Sequence, residues 1–207
     1  MQKTSALLIA AGLSERMGSP KALLPWQNGT LIGYQLNALK NIGIFETIVV
    51  LGYSAENVIR QVNPYHEAKV VINTDYLQGK STSIKAGVRA VSNESDNLIL
   101  IAVDQPRPSE LLSGLIQAQE STGLLITQPF YKGKGGHPLV FDTTLLSELE
   151  DISEDNLGVR EIMERHALKV NRVPVRSAIV LLDINTRKEY SMAKTLFRDP
   201  CIRENGS

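Results

Sequence analysis

The sequence predicts an α/β fold: a mostly parallel sheet with helices on both of its faces. Three observations carry this. Short apolar runs alternate with amphipathic stretches four times between Thr4 and Thr127. One run, Asn97 to Val103 (NLILIAV), is almost wholly apolar, as a central strand covered on both faces must be. Residues that start and stop helices fall between the runs.

Thr4 to Ala10 is the first strand. Thr30 is placed to cap a helix with Leu31, Tyr34, Ala38, Leu39 and Ile42 at helical spacing, and Gly43 stands where that helix would end. Glu46 to Gly52 (ETIVVLG) is a β-branched strand, and Ser54 can cap a helix reaching about Val62. Ala68 to Asn73 (AKVVIN) is the third strand. Ser81 or Ser83 can cap a helix carrying Ile84, Val88 and Val91. Ser109 can cap the next, with Leu111, Leu112, Leu115 and Ile116 on its apolar side, and Gly123 to Thr127 follows as a strand. The pattern then changes. Lys132 to Pro138 (KGKGGHP) is a basic, glycine-rich loop, and Ser147 to Asn156 (SELEDISEDN) is an acidic surface helix end and loop. Ala178 to Ile184 (AIVLLDI) returns to strand character, Thr186 to Phe197 reads as a helix, and the last ten residues read as a frayed tail. There is no internal repeat and no low-complexity segment.

Composition narrows the function. The 207 residues are 43% apolar and 21% charged, ordinary for one soluble domain. Lys plus Arg equal Asp plus Glu at 22 each. That balance argues against a protein that neutralises many nucleic-acid phosphates, but leaves room for one small anionic ligand held by two or three cations. The single cysteine, Cys201, permits neither an intrachain disulfide nor a Cys-rich metal site. The apolar run in MQKTSALLIAAG is about strand length, too short for a signal peptide, and no segment approaches the ~20 apolar residues of a membrane span. The expectation is a cytoplasmic protein with no membrane partner.

In an open parallel sheet, ligands gather at the carboxyl ends of the strands. The segments to inspect are those just after each strand: 10–21, 52–53, 73–83, Asp104 and 183–186. The first is IAAGLSERMGSPKALLPW, Ile9 to Trp26. It is neither a P-loop nor a Gly-x-Gly-x-x-Gly turn. Small residues at Ala10, Ala11 and Gly12 let a backbone approach a base or phosphate closely, and Arg16 and Lys21 put two cations on one short loop. That suits a triphosphate; spacing alone equally allows an ordinary loop with solvated cations. In NTDYLQGKSTSIKAG, Asn73, Gly79, Ser81 and Ser83 follow the third strand, and the two serines read by themselves as helix caps. Asp104, in AVDQP, follows the most apolar strand; its carboxylate must be solvated, paired or bound to a cation.

The stretch Ile9 to Trp26 resembles the signature of nucleotidyltransferases with a Rossmann-like fold of the nucleotide-diphospho-sugar transferase type. Within them it is most similar to the molybdenum cofactor (MobA-like) NTP transferases. Ala-Ala-Gly with a Leu-Leu-Pro-Trp ending resembles the cytidylyltransferase branch, where the guanylyltransferase branch usually reads Ala-Gly-Gly. The resemblance spans about residues 4–195. It implies that Ala10, Ala11 and Gly12 hold the nucleotide, that Arg16 and Lys21 hold its phosphates, and that Asn73, Gly79, Ser81 and Ser83 surround base and ribose. Lys80 stands where such proteins often carry Met. Asp104 takes the place of their Mg²⁺ ligand. In LLDINTRKEY, Asn185 takes the place of a second ligand, with Asp183 the alternate, and Arg187 replaces a Pro. His137 and Pro138 in GHPLVF, and Arg160 in DNLGVR, match acceptor-facing segments, although Asn156 stands where that branch has Asp.

The implied organisation is one NTP-transferase domain over 1–207, with a nucleotide-binding core at about 4–128 and an acceptor-binding part at about 129–197. The implied reaction is transfer of CMP from CTP to the phosphate of molybdenum-molybdopterin, with release of pyrophosphate. Another NTP such as GTP, another phosphorylated acceptor, or a non-catalytic molybdopterin chaperone serving a molybdoenzyme are the alternatives.

Overall fold

The computed structural model describes residues 2–14 and 17–197, so the expected tail at 198–207 lies outside the described residues. The strands are β1 (Thr4–Ala10), β2 (Pro25–Trp26), β3 (Gly29–Thr30), β4 (Glu46–Leu51), β5 (Ala68–Ile72), β6 (Asn97–Ala102), β7 (Ile126–Tyr131), β8 (Lys134–Gly135), β9 (Leu139–Asp142) and β10 (Val170–Pro174). The helices are α1 (Leu31–Asn41), α2 (Ala55–Val62), α3 (Lys80–Val88), α4 (Ser109–Thr122), α5 (Leu146–Asp151), α6 (Val159–Arg165) and α7 (Arg187–Leu196).

The main sheet runs in the order β10-β7-β9-β6-β1-β4-β5, with β8 paired to β7. β1 pairs in parallel with β4 on one side and β6 on the other. β9 is antiparallel to both β6 and β7. The expected α/β architecture with helices on both faces therefore holds. Side-chain alternation builds two cores from the same strands. Ala6, Leu8 and Ala10 of β1 face one core with Leu31, Leu39, Val58 and Leu112 of α1, α2 and α4. Leu7 and Ile9 face the other with Ile84, Leu149 and Ile162 of α3, α5 and α6. The boundary at about residue 128 falls inside β7, so the two expected parts share one sheet.

Several local expectations are corrected. Neither Ser81 nor Ser83 caps α3. Gly79 stands at its N-terminus, and the amide of Ser81 donates to Glu154 Oε1 at 2.6 Å. Ser54 precedes α2 in a left-handed conformation with no side-chain cap; its hydroxyl accepts from Asn57 Nδ2. Ser109 is the first residue of α4 and donates to Ala38 O of α1 instead. Gly123 ends α4 at φ 60° rather than opening a strand, so β7 begins later, at Ile126. The apolar run Ala178 to Ile184 forms a turn of 3₁₀ helix over Ala178–Leu181, not a strand. Its apolar content satisfies burial: Ile179, Val180 and Ile184 are buried, while the carbonyls of Val180 and Leu182 accept from Arg107, and Val180 O also from the His137 amide, rather than from a ladder. β10 was not foreseen; its alternation (VNRVP) is weakly apolar because it is an edge strand.

Candidate active site

Strand order reverses at β1, and the crevice beside β1 and β6 is where an open α/β sheet binds ligands. The Ala10–Gly12 turn and Asp104 sit at that point. Two clefts open there. One, of about 280 Å³, is lined by Ala10, Ala11, Gly12, Lys21, Gly79, Ser83 and Asp104 among others. The second, of about 790 Å³, is lined by Ser81, Gln105, His137, Arg160 and the apolar side chains of Ile84, Leu139, Phe130 and Met163.

Lys21, Asp104 and Asn185 converge from sequence positions far apart. Lys21 Nζ donates to Asp104 Oδ2 and to Asn185 Oδ1, both at 2.7 Å. The side chains of Lys21 and Asp104 are 15% and 23% exposed, so this is a partly desolvated ion pair rather than a surface one. Each member is held by its own scaffold. Lys21 N donates to Ser14 Oγ. Gln35, buried in α1, donates through Nε2 to Ala102 O and Gln105 O, which fixes the turn carrying Asp104. Ile184 N donates to Asp104 O, tying the segment before α7 to that turn. Thr186 Oγ1 accepts from Glu189 N, while Glu189 Oε2 accepts from Asn185 N, a reciprocal cap that sets Asn185. The LLPW ending of the first motif serves packing: Trp26 stacks edge-on with Phe197 and Tyr34, which seats α7 on the core.

Asp183 lies close by, its Oδ1 accepting from Gln105 Nε2 at 2.8 Å. The oxygens of Asp104 and Asn185 already meet on one cationic point, the Lys21 ammonium. A hard divalent cation asks for such an oxygen pair while phosphates and waters supply the rest. Asp104 and Asn185 therefore offer an oxygen pair that suits a hard divalent cation.

The other expected residues are placed as follows. Arg16 lies outside the described residues. Asn73 is buried behind the smaller cleft: Nδ2 donates to Thr82 Oγ1 and Ser83 Oγ, and Oδ1 accepts from Asp75 N. Ser83 and Gly79 line the smaller cleft, and Ser81 the larger one. His137 precedes Pro138 through a cis peptide bond. Its amide donates to Val180 O, and burial first, then the charge of Lys80, push its pKa down to about 4. The imidazole is thus neutral at pH 7. Arg160 borders the larger cleft and pairs with Glu164 at 2.9 Å.

With this geometry in view, residues 6–170 match the family model described as the MobA-like NTP transferase domain. The chain belongs to that family. This MobA-like protein is a nucleotidyltransferase. Among curated relatives, it is 29% identical to a molybdenum cofactor cytidylyltransferase of Escherichia coli (strain K12), over 96% of this chain and 100% of the relative. It is 26% identical to a nicotine blue oxidoreductase of Paenarthrobacter nicotinovorans, over 88% and 92%. Among solved structures, Rv0371c from Mycobacterium tuberculosis H37Rv superposes with a TM-score of 0.81 at 26% identity, over 94% of this chain and 98% of that one.

Three residues that build the candidate site carry no signal in the sequence. Gln35 read only as part of a helix. Glu154 read as part of an acidic loop, yet it holds the start of α3. Arg107, fully buried at 0% exposure, donates to four backbone carbonyls, those of His137, Pro106, Val180 and Leu182. Burial lowers its pKa to about 10, and Asp183 and Asp104 partly offset that fall, so it stays charged at pH 7. Nothing in Asp-Gln-Pro-Arg marks that burial along the chain; the carbonyls that hold Arg107 are supplied by the fold.

Proposed function

We propose that this MobA-like enzyme transfers CMP from CTP to the terminal phosphate of molybdenum-molybdopterin and releases pyrophosphate. The observation that carries this reading is the convergence of Lys21, Asp104 and Asn185 at the mouth of a small cleft that abuts a larger one. The small cleft would take the nucleotide, with the Ala10–Gly12 backbone against it. The larger cleft, with its apolar floor and His137, Pro138 and Arg160 beside it, would take the pterin acceptor; this assigns 129–197 to acceptor binding. The Ala-Ala-Gly turn and the similarity to a cytidylyltransferase support CTP over GTP.

An acceptor phosphate oxygen attacks the α-phosphorus in line. A new P–O bond forms, the bond from the α-phosphorus to the bridging oxygen breaks, and pyrophosphate leaves with that electron pair. No protein nucleophile is needed, so catalysis rests on positioning and on neutralising charge. Lys21 exchanges its Asp104 and Asn185 oxygens for phosphate oxygens, and Arg16 shares that role. Asp104, with Asn185 or Asp183, would hold Mg²⁺, which supplies positive charge to the phosphate oxygens when bound. Neutral His137 orients the acceptor without adding charge.

The test is pyrophosphate release with Mg²⁺, molybdenum-loaded molybdopterin and each of CTP, GTP, ATP and UTP in turn. Release with CTP alone is the expected result. Release with GTP alone would reassign the base. No release with any nucleotide, alongside measurable molybdopterin binding, would replace transfer by a carrier role toward a molybdoenzyme.

A further inference from the structure

Lys80 stands where the two clefts meet. Among the described residues, only Lys80 and Ala102 line both the 280 Å³ and the 790 Å³ cleft, and only Lys80 carries charge. Its backbone is fixed. It is the first residue of α3, it follows Gly79 at φ 116°, and the next amide is held by Glu154. A Cβ on Gly79 would come within 2.4 Å of the Glu154 side chain, so the loop from the acceptor side closes tightly on this turn. The Lys80 side chain is exposed to the clefts and forms no ion pair among the described residues.

The other cations nearby are engaged. Lys21 bridges Asp104 and Asn185 on the nucleotide side. Arg160 pairs with Glu164, and Arg172 lies over the ring of Phe130 at 5.8 Å. The charge of Lys80 is felt across the larger cleft, where it adds to burial in keeping the His137 imidazole neutral. Transfer between two phosphates must bring two anions into contact at this seam. In a partly desolvated cleft that repulsion is far stronger than in water. An ammonium on a four-carbon stem is a mobile point charge able to follow an oxygen through the approach.

We propose that Lys80 is a specificity-determining residue that binds an anionic oxygen of the acceptor, selecting acceptors that present a phosphate monoester at the seam between the clefts. This rests on the transfer reading above. Lys80 acts on acceptor binding and approach, and leaves the nucleotide to Lys21 and Asp104.

The experiment compares wild type, Lys80→Met, Lys80→Arg and, as a control on the same helix, Lys85→Met. The probes are CTP, molybdopterin and enzymatically dephosphorylated molybdopterin, read by equilibrium binding and by pyrophosphate release, with far-UV circular dichroism to check folding. Lys80→Met is expected to weaken molybdopterin binding and to lower kcat/KM for it at least tenfold. It should leave the CTP Kd within twofold and the binding of dephosphorylated pterin unchanged. Lys80→Arg should recover most of the loss, and Lys85→Met should match wild type. The proposal is overturned if Lys80→Met matches wild type, if it raises the CTP Kd as much as the molybdopterin Kd, or if it weakens both pterins equally. Failure of wild type to release pyrophosphate with any nucleotide sinks the transfer reading instead; Lys80 is then still judged by the difference between the two pterins.

Discussion

Asp104 and Arg107 are three residues apart and answer two different demands. Asp104 presents an oxygen to a cation at the cleft mouth. Its replacement in Asp104→Ala should abolish Mg²⁺-dependent transfer, a loss of at least a hundredfold in kcat, with the folded spectrum intact. Retained activity in that variant would remove Asp104 from the metal site. Arg107 binds nothing from solvent. It gathers the carbonyls of His137, Val180 and Leu182, so one guanidinium joins the turn after β6 to the acceptor loop and to the segment before α7. Arg107→Met takes the donor from the carbonyls of Pro106, His137 and Leu182, while Val180 O keeps the His137 amide. Each orphaned group costs about 1–3 kcal/mol, so urea denaturation should show a loss of about 3 kcal/mol or more. A loss under about 1 kcal/mol would mean that water or another donor replaces it.

At the scale of elements, the reciprocal cap on α7 links helix stability to the site. The Thr186 hydroxyl accepts from the Glu189 amide and donates to Glu189 Oε2, which also accepts from the amide of Asn185. Thr186→Ala should cost about 1 kcal/mol of stability. It should also loosen Asn185 and weaken Mg²⁺ binding in the presence of CTP. Calorimetric titration checks the second effect, and a stability loss with unchanged metal affinity would confine the cap to a structural role. The helix starts divide instructively. Thr30 and Thr186 do cap, each hydroxyl accepting from the amide three residues on. Ser81 and Ser109 do not: a glutamate from 73 residues away takes the amide that a capping residue would serve in one case, and a neighbouring helix takes the hydroxyl in the other. Local capping rules see only local partners.

For the molecule as a whole, one half-buried imidazole shapes stability against pH. The unfolded chain protonates His137 near pH 6.5, whereas the folded chain does so only near pH 4. The contribution is therefore fully present above pH 6.5 and is lost as pH falls toward 4. His137→Asn should flatten the fall of Tm across that window relative to wild type. Identical slopes for the two proteins would show that His137 is solvated in the folded state.

The layered architecture was legible in the sequence, and the stretch after the first strand (10–21) and Asp104 were legible as places to look for a ligand. Period-two and period-3.6 patterns, the apolar strand Asn97 to Ala102 and the Ala10–Gly12 turn are local properties, written in consecutive residues. The tertiary structure alone decided that β9 runs antiparallel between β6 and β7, that Ala178–Leu181 is a turn, and that Lys21, Asp104 and Asn185 share one point. It also decided that Asn73 spends its hydrogen bonds inside the protein and that Glu154 and Arg107 are structural anchors. The partners of Asn73 lie 2 to 10 positions away, but those of Lys21, Ser81 and Arg107 include residues far along the chain. A buried polar group must find a partner wherever the fold supplies one, and partners separated by 73 to 164 positions leave no periodic trace along the chain.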